Sequence, residues 1–505
     1  MVADVVIVGA GTAGSVAAYR LAASDKLNVA LLEAGGEDSA PAIHDPKRLI
    51  ELWGSKDDWN IVTEPSPGLN GRRIPIARGK VLGGCSSLFA MIHVRGNRRD
   101  FDLWNVLGAD GWSYEECLPY FKRSETYYAG SSEFHGGEGP LPIRQNPKPT
   151  AVATAFCEAA VELGFDGPNW DHNGARQEDG AGLYTHTIFP NGTRAGTAQT
   201  FLAMARRTGR LQLITNAQAT AVLLDNSRAV GVRYLLDGRE QEIRAEREVI
   251  VCGGAFHSPH LLMLSGIGEA AALRALGIAV HQDLPGVGKN LQDHLLQPIF
   301  YHSRQELPVP EFIAEAGLFV RTRLGMPAAP PNLQFHFGAG LPAFTPPGLG
   351  ANFAFVPIVV QPLSRGQVRL KSPNPLDLPL VEPNYLAEPE DVRTLAAGVR
   401  LARRLAKTRA MSAINGGEAI PGEAVDGTDL DGFIRDHCST VWHPAGTCAM
   451  GLDRMSVIDP QLRVRGVQRL RVADASVMPR ITSGNTHAAT VMIGERAADF
   501  VLAAL

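Results

Sequence analysis

No apolar stretch in the chain approaches the roughly 20 residues that a helix needs to span a bilayer, which excludes an integral membrane protein of the helical kind. Runs of like charge are missing too, and the net charge is only −4, so the electrostatic footprint of a nucleic-acid or anionic-membrane binder is not there. Cysteine is scarce. The six (Cys85, Cys117, Cys157, Cys252, Cys438 and Cys448) lie far apart, with neither a C-x-x-C pair nor a zinc-type Cys/His spacing, and read as reduced structural thiols. Internal repeats and low-complexity tracts are absent. Met1 to Asp4 run straight into Val5 to Val8, leaving no space for a basic, then apolar, leader, so the expected location is the cytoplasm. Small molecules are the expected partners.

What is present is ordinary globular material, 505 residues with 45% hydrophobic and 20% charged, enough for more than one core. Val5 to Val8 reads as a buried strand, Gly14 to Leu21 as the helix after it and Val29 to Leu32 as a second buried strand, a βαβ opening. Further on, Val249 to Cys252 predicts a strand followed by a helix over Pro259 to Leu264. Leu470 to Val472 predicts a last strand before a helix from about His487 to Leu502. Between them, Glu306 to Gly366 is broken by Pro308, Pro310, Pro327, Pro330, Pro331, Pro342, Pro346 and Pro347 around short apolar runs such as Phe353 to Val360. That texture predicts sheet with long loops, suited to covering a site.

Gly9-Ala10-Gly11-Thr12-Ala13-Gly14 falls between the first strand and the first helix, where a G-x-G-x-x-G turn binds a dinucleotide. The first glycine permits the turn, the second admits the pyrophosphate and the third lets helix and strand pack closely. Glu33 ends the second strand, nineteen residues after Gly14, placed to accept hydrogen bonds from ribose hydroxyls and to disfavour a 2′-phosphate. These residues do not by themselves choose between FAD and NAD.

Ala77 to Ser87, which contains Arg78-Gly79-Lys80-Val81-Leu82-Gly83-Gly84-Cys85-Ser86-Ser87, resembles the first signature of the glucose-methanol-choline oxidoreductases. Gly254 to Gly268 is similar to their second. Asn290-Leu291-Gln292-Asp293-His294, Ser364-Arg365-Gly366, Pro383-Asn384-Tyr385-Leu386, His443-Pro444-Ala445-Gly446-Thr447 and Ala473-Asp474-Ala475-Ser476 follow in the family's order, from about residue 3 to 500. The resemblance implies an α/β protein: a doubly wound, Rossmann-like FAD-binding domain from residues 1–150, 190–300 and 440–505, with an α+β substrate domain from 151–189 and 301–439. It implies FAD held by Gly9, Gly11, Thr12, Ala13, Gly14, Glu33, Ala34, Val81, Gly83, Gly84, Ala90, Ala219, Trp442, Asp474, Ala475 and Ala489, with no metal. Members that attach flavin covalently carry a histidine where this chain has Leu88, so the FAD is expected to be non-covalent. Phe89 replaces a frequent asparagine.

Hydride removal from an alcohol requires a base for the hydroxyl proton, and histidine titrates in the right range. The resemblance places that base at His443 and a second group at His487, which holds the alkoxide and shares the positive charge; Asn485 competes for the second role, but spacing to Thr490-Val491 favours His487. His257, His260 and His294 match no catalytic position and are read as structural. The helix from His487 would turn its positive end toward the flavin. Val441-Trp442 is similar to bacterial oxidases of hydroxymethylfurfural and other aryl alcohols, and the His487 segment to pyridoxine oxidases. The expected activity is oxidation of a primary alcohol on a flat ring to the aldehyde, with oxygen or another electron acceptor. Trp442, Phe89, Phe335, Phe337, Phe353 and Phe355 are candidates for an aromatic slot. Choline is the rival substrate, with Glu315 facing its ammonium group. A lyase of the same fold and a non-catalytic flavin carrier are the other classes.

Overall fold

The computed structural model describes residues 1–322, 329–340 and 344–505; Pro327 and Pro342 fall outside the described residues. Five parallel strands form the heart of the first sheet, in the order Leu211–Ile214, Val29–Leu32, Val2–Val8, the end of Arg239–Val251, and Leu470–Val472. Their register aligns the carboxyl ends: Val8 pairs with both Leu32 and Val251, Leu32 with Ile214, and Val251 with Val472. Gly9, Glu33, Cys252 and Ala473 therefore leave the sheet along one edge, where open α/β sheets bind their ligands. The first part of Arg239–Val251 instead continues outward as an antiparallel ribbon with Arg228–Leu236 and Ala217–Asp225.

Val5–Val8 and Val29–Leu32 are buried at every position, with the helix Thr12–Ala22 packed against them. The helix Thr12–Ala22 packs against the C-terminal helix His487–Leu502 so closely that a Cβ on Gly494 would lie 2.7 Å from the Ala13 carbonyl oxygen. Glu495, buried on the same helix, binds Arg20 at 2.8 Å and Arg123 at 2.6 Å. Sequence-distant ends are thereby locked into one core.

The second sheet is antiparallel, in the order Asn415–Ile420, Ile299–Ser303, Asn352–Val359, Leu333–Ala339, Ala316–Val320, Gly180–Leu183. The helices Ala151–Glu162 and Pro389–Ala406 share a hydrophobic core with one of its faces. A two-residue strand, Leu295–Leu296, pairs with both Asn352–Val359 and Ser439–Thr440, bringing the His443 segment to the edge of this sheet.

One helix differs from expectation. It runs over Gly254–Leu264, five residues longer at its start than predicted, with Pro259 inside it. Proline has no N–H for the carbonyl four residues back, which would leave Ala255 without a donor. The Thr447 hydroxyl supplies it, donating to Ala255 O at 2.6 Å.

Candidate active site

Between the carboxyl edge of the first sheet and the second sheet lies a cavity of about 570 Å³. Its wall includes Gly9, Gly11, Thr12, Ala13, Glu33, Ala34, Gly84, Ala90, Ala219, Trp442, Asp474 and Ala475 together with His443 and His487. Gly14, Val81, Gly83 and Ala489 stand off the wall. Gly14 serves packing, since a Cβ there would lie 1.9 Å from Gly9 O. Gly83 makes a turn at φ +85°, and Val81 and Ala489 are wholly buried behind the lining.

The residues fit FAD. Gly9, at φ +101°, has Cys252 O 2.5 Å from where a Cβ would stand, and a Cβ on Gly84 would come 2.8 Å from Gly11 Cα. Two glycine turns thus meet with bare backbone facing the cavity, as a pyrophosphate cradle requires. Glu33 is fixed by accepting hydrogen bonds from Ala10 N at 2.9 Å and Gly35 N at 2.8 Å, and burial pushes its carboxyl up to about 7. Asp474 accepts from Gly254 N at 2.9 Å and Ser258 Oγ at 2.5 Å, which holds the N-terminus of Gly254–Leu264 beside the strand end. At the other end the helix His487–Leu502 starts without a side-chain cap, and Thr486, His487 and Thr490 line the cavity.

His443 is held on every side. Asp293 Oδ1 accepts its backbone N–H at 2.8 Å, while Asp293 Oδ2 accepts from Thr440 Oγ1 and Tyr385 Oη, each at 2.6 Å. Trp442 before it sits at φ +62°, an uncommon and strained conformation for a bulky residue. Thr440 Oγ1 accepts from Trp442 N at 2.7 Å and Arg78 donates to Trp442 O at 2.8 Å, fixing the turn. The Asn485 amide Nδ2 lies 3.3 Å from His443 Nε2 and can only donate, so Nε2 is the lone-pair nitrogen. The proton then rests on Nδ1, 3.1 Å from His294 Nδ1. Burial first, then His294, His336 and Arg78, hold His443 well below the ordinary histidine value. The imidazole is therefore neutral at pH 7.

His487 differs. Neither ring nitrogen has a hydrogen-bond partner among the described residues, and the ring packs against Phe89 with centroids 4.5 Å apart. Burial, with His93 and Arg194, lowers it to about 3, which favours the neutral ring in the free cavity.

His257 and His260 line the cavity and His294 touches His443, which is compatible with their structural reading. Two expectations change. Of the six aromatic candidates, Trp442 and Phe89 line the cavity and Phe337 reaches its edge while stacking on Phe156. Phe335, Phe353 and Phe355 are core. Strand alternation explains the last two, because Ala354 and Val356 take the cavity side of Asn352–Val359 while Phe353 and Phe355, alternating with them, take the other. Trp53, Phe300 and Phe344, not foreseen, complete the wall, with Trp53 4.3 Å from Trp442 and 5.8 Å from Phe344 between centroids. Finally, Glu315 is buried off the wall, accepting from Asn146 Nδ2 at 2.9 Å, Thr150 N at 3.1 Å and Thr150 Oγ1. It is not available to an ammonium group. Among the described residues the carboxylates on the wall are Glu33 and Asp474.

Comparison with known proteins gives the same frame. The family models for GMC oxidoreductases match residues 3–296 and 362–494. The oxygen-dependent choline dehydrogenase of Rhizobium etli is 39% identical, the match covering 99% of this chain and 96% of the relative. Pyridoxine 4-oxidase from Mesorbium loti superposes with a TM-score of 0.92 at 33% identity, over 98% of each chain. A fungal aryl-alcohol oxidase does so with 0.86 at 25% identity, over 99% of each.

Proposed function

Because the chain belongs to the GMC oxidoreductase family, an FAD-dependent group of enzymes acting on CH–OH donors, we propose that this member oxidises a primary alcohol carried on an aromatic or heteroaromatic ring. In this reading residues 1–150, 190–300 and 440–505 hold FAD, without a covalent link, and 151–189 with 301–439 form the cover. When bound, FAD supplies the hydride acceptor. Glu33, Asp474 and the glycine turns at Gly9–Gly11 and Gly83–Gly84 would hold it.

The observation that carries the proposal is His443 itself: a neutral imidazole with its Nε2 lone pair directed at cavity-lining Asn485, beside a wall of Trp53, Trp442, Phe89, Phe300 and Phe344. The substrate hydroxyl gives its proton to His443 Nε2, replacing the hydrogen bond from Asn485. Proton removal of this kind is typically worth about 10²- to 10⁴-fold in rate. The His443 Nδ1–H remains on His294, and Asp293 fixes the backbone that carries the ring. His487, free at both nitrogens, donates a hydrogen bond to the same oxygen. The aromatic wall excludes water and sandwiches a flat ring.

Choline is the second reading, favoured by its named relatives and by the same aromatic wall, which suits a quaternary ammonium through cation–π contact. The wall's two carboxylates both belong to the FAD-holding strand ends, which ranks it second. The deciding experiment mixes the enzyme anaerobically with benzylic, furanic, aliphatic and choline alcohols and reads loss of flavin absorbance, then return in air. Aryl alcohols are expected to bleach it at the highest efficiency; choline above every aryl alcohol reverses the ranking, and no bleaching by any alcohol points to a lyase or a carrier.

A further inference from the structure

Arg194 is fully buried, and among the described residues no carboxylate pairs with it. Its Nε donates to Ile43 O at 2.6 Å, its Nη1 donates to Phe89 O, and Nη2 has no partner. The residues outside the description include no acid, so the chain offers it no other counter-charge. Elsewhere the fold pairs such groups: Arg95, equally enclosed, binds Glu125 at 2.7 Å. Burial brings Arg194 down to about 9, which still leaves it charged at neutral pH. An unpaired buried cation is costly, and an apolar side chain of similar shape would be tolerated as well or better unless the charge has a use.

Its position suggests the use. The guanidinium lies over the Phe89 ring, 5.5 Å from the centroid, and the same ring packs against His487 with centroids 4.5 Å apart. Phe89 and His487 both line the cavity, so the charge stands one ring's thickness behind the wall. We infer that Arg194 is an electrostatic positioning residue, a fixed positive charge that favours arrival of the hydride and its negative charge in this cavity. The balance is simple: the C–H bond breaks with its electron pair going to FAD, the O–H bond breaks with its proton going to His443 Nε2, the alcohol is oxidised and FAD is reduced. Arg194 takes part in neither transfer. It adds to the uncapped terminus of His487–Leu502, whose partial positive charge acts on the same end of the cavity.

The inference rests on the reading of this cavity as the place of hydride removal, and its test needs no alcohol. Arg194→Gln and Arg194→Lys are purified with FAD, and the two-electron midpoint potential is measured by equilibration against a reference dye. Glutamine keeps donors for the Ile43 and Phe89 carbonyls without the charge; lysine keeps the charge without the planar fork. The glutamine variant should shift the equilibrium about tenfold toward oxidised FAD, ~30 mV for a two-electron couple, while lysine stays within about twofold of the parent. A glutamine variant that loses FAD beside a lysine variant at the parental potential agrees with the same role. Three results overturn it: glutamine at the parental potential, lysine falling as far as glutamine, or neither variant retaining FAD, which would make Arg194 a clamp on two carbonyls. If the potentials move as expected and no alcohol bleaches the flavin, the substrate reading fails and this one stands.

Discussion

Asn485→Asp should move the pH dependence of catalysis, because it places a carboxylate where an amide now donates to His443 Nε2 at 3.3 Å. In the parent, His443 lies well below the ordinary histidine value, so the base is unprotonated and anaerobic flavin reduction by a saturating alcohol should be flat from pH 8 to pH 6. A unit negative charge 3.3 Å away, at an effective dielectric near 20, favours the imidazolium by at most about 5 kcal/mol, or about 3.7 pKa units. The new carboxylate is itself enclosed and loses part of this to its own desolvation, so the rise is smaller than that limit, with the pair titrating together. The sign follows: a carboxylate beside Nε2 raises the pKa of the base, so the acidic limb that lies below the assayed range in the parent moves up, and the variant loses activity on acidification at a pH where the parent keeps it. At pH 9 the variant should reduce within about tenfold of the parent. Stopped-flow absorbance across pH 5 to 9 reads both limbs. An FAD-bound variant with the parental flat profile would show that His443 Nε2 is not the base, and a uniform loss at every pH would show structural damage instead.

His443→Ala should slow flavin reduction by about 10²- to 10⁴-fold with FAD still bound, and His487→Asn, which keeps a donor, should lose less; equal losses in single-turnover reduction would refute the division of roles. Acid precipitation should leave the yellow colour in solution, since Leu88 on the cavity wall offers no atom for a covalent link, and colour in the pellet would place the attachment elsewhere. Thr447→Val should destabilise by about 1–3 kcal/mol in urea titration by stranding the buried Ala255 carbonyl, and Pro259→Ala should restore part of the loss in the double variant by supplying the missing N–H; additive losses would rule out this link.

The elements that were legible in the sequence are those whose cause is local. Val29–Leu32, Leu470–Val472 and His487–Leu502 end where apolar runs and turn residues say they should, and the Gly9 to Gly14 turn opens where the first strand stops. The Gly254–Leu264 helix exceeds its expected range for a non-local reason, because a proline reads as a break unless the hydroxyl that replaces its N–H, supplied 192 positions after the Ala255 carbonyl it serves, is known. The aromatic slot failed similarly: Phe353 and Phe355 sit in an apolar run with no clear alternation, so the run does not say which face meets the cavity. Asn485 was set aside on spacing, yet its contact with His443 spans 42 positions and a turn that spacing does not describe. Glu315 looked available because its three donors, from Asn146 and Thr150, are more than 160 residues earlier.

The two histidines show why the site needs both halves of the chain. His443 gains its orientation from residues of separate segments, Asp293 and His294 before the second sheet and Asn485 before the last helix, so neither ring nitrogen is free to wander before substrate arrives. His487 has the opposite design, packed by Phe89 on one ring face and hydrogen-bonded to nothing. A buried polar atom without a partner is costly, and two on one ring are tolerable only where a ligand regularly satisfies them. The pattern supports the proposed division of roles: the fully engaged imidazole suits a group that takes a proton at one fixed atom, and the unengaged one suits a group that meets a ligand oxygen. Asp293 is the joint between these parts, since through Thr440, Tyr385 and the His443 amide it ties the strand pair at the edge of the cover to the base beneath it. Displacing the cover relative to the first sheet would move the proton acceptor as well as the substrate wall, which makes the two sheets one catalytic unit.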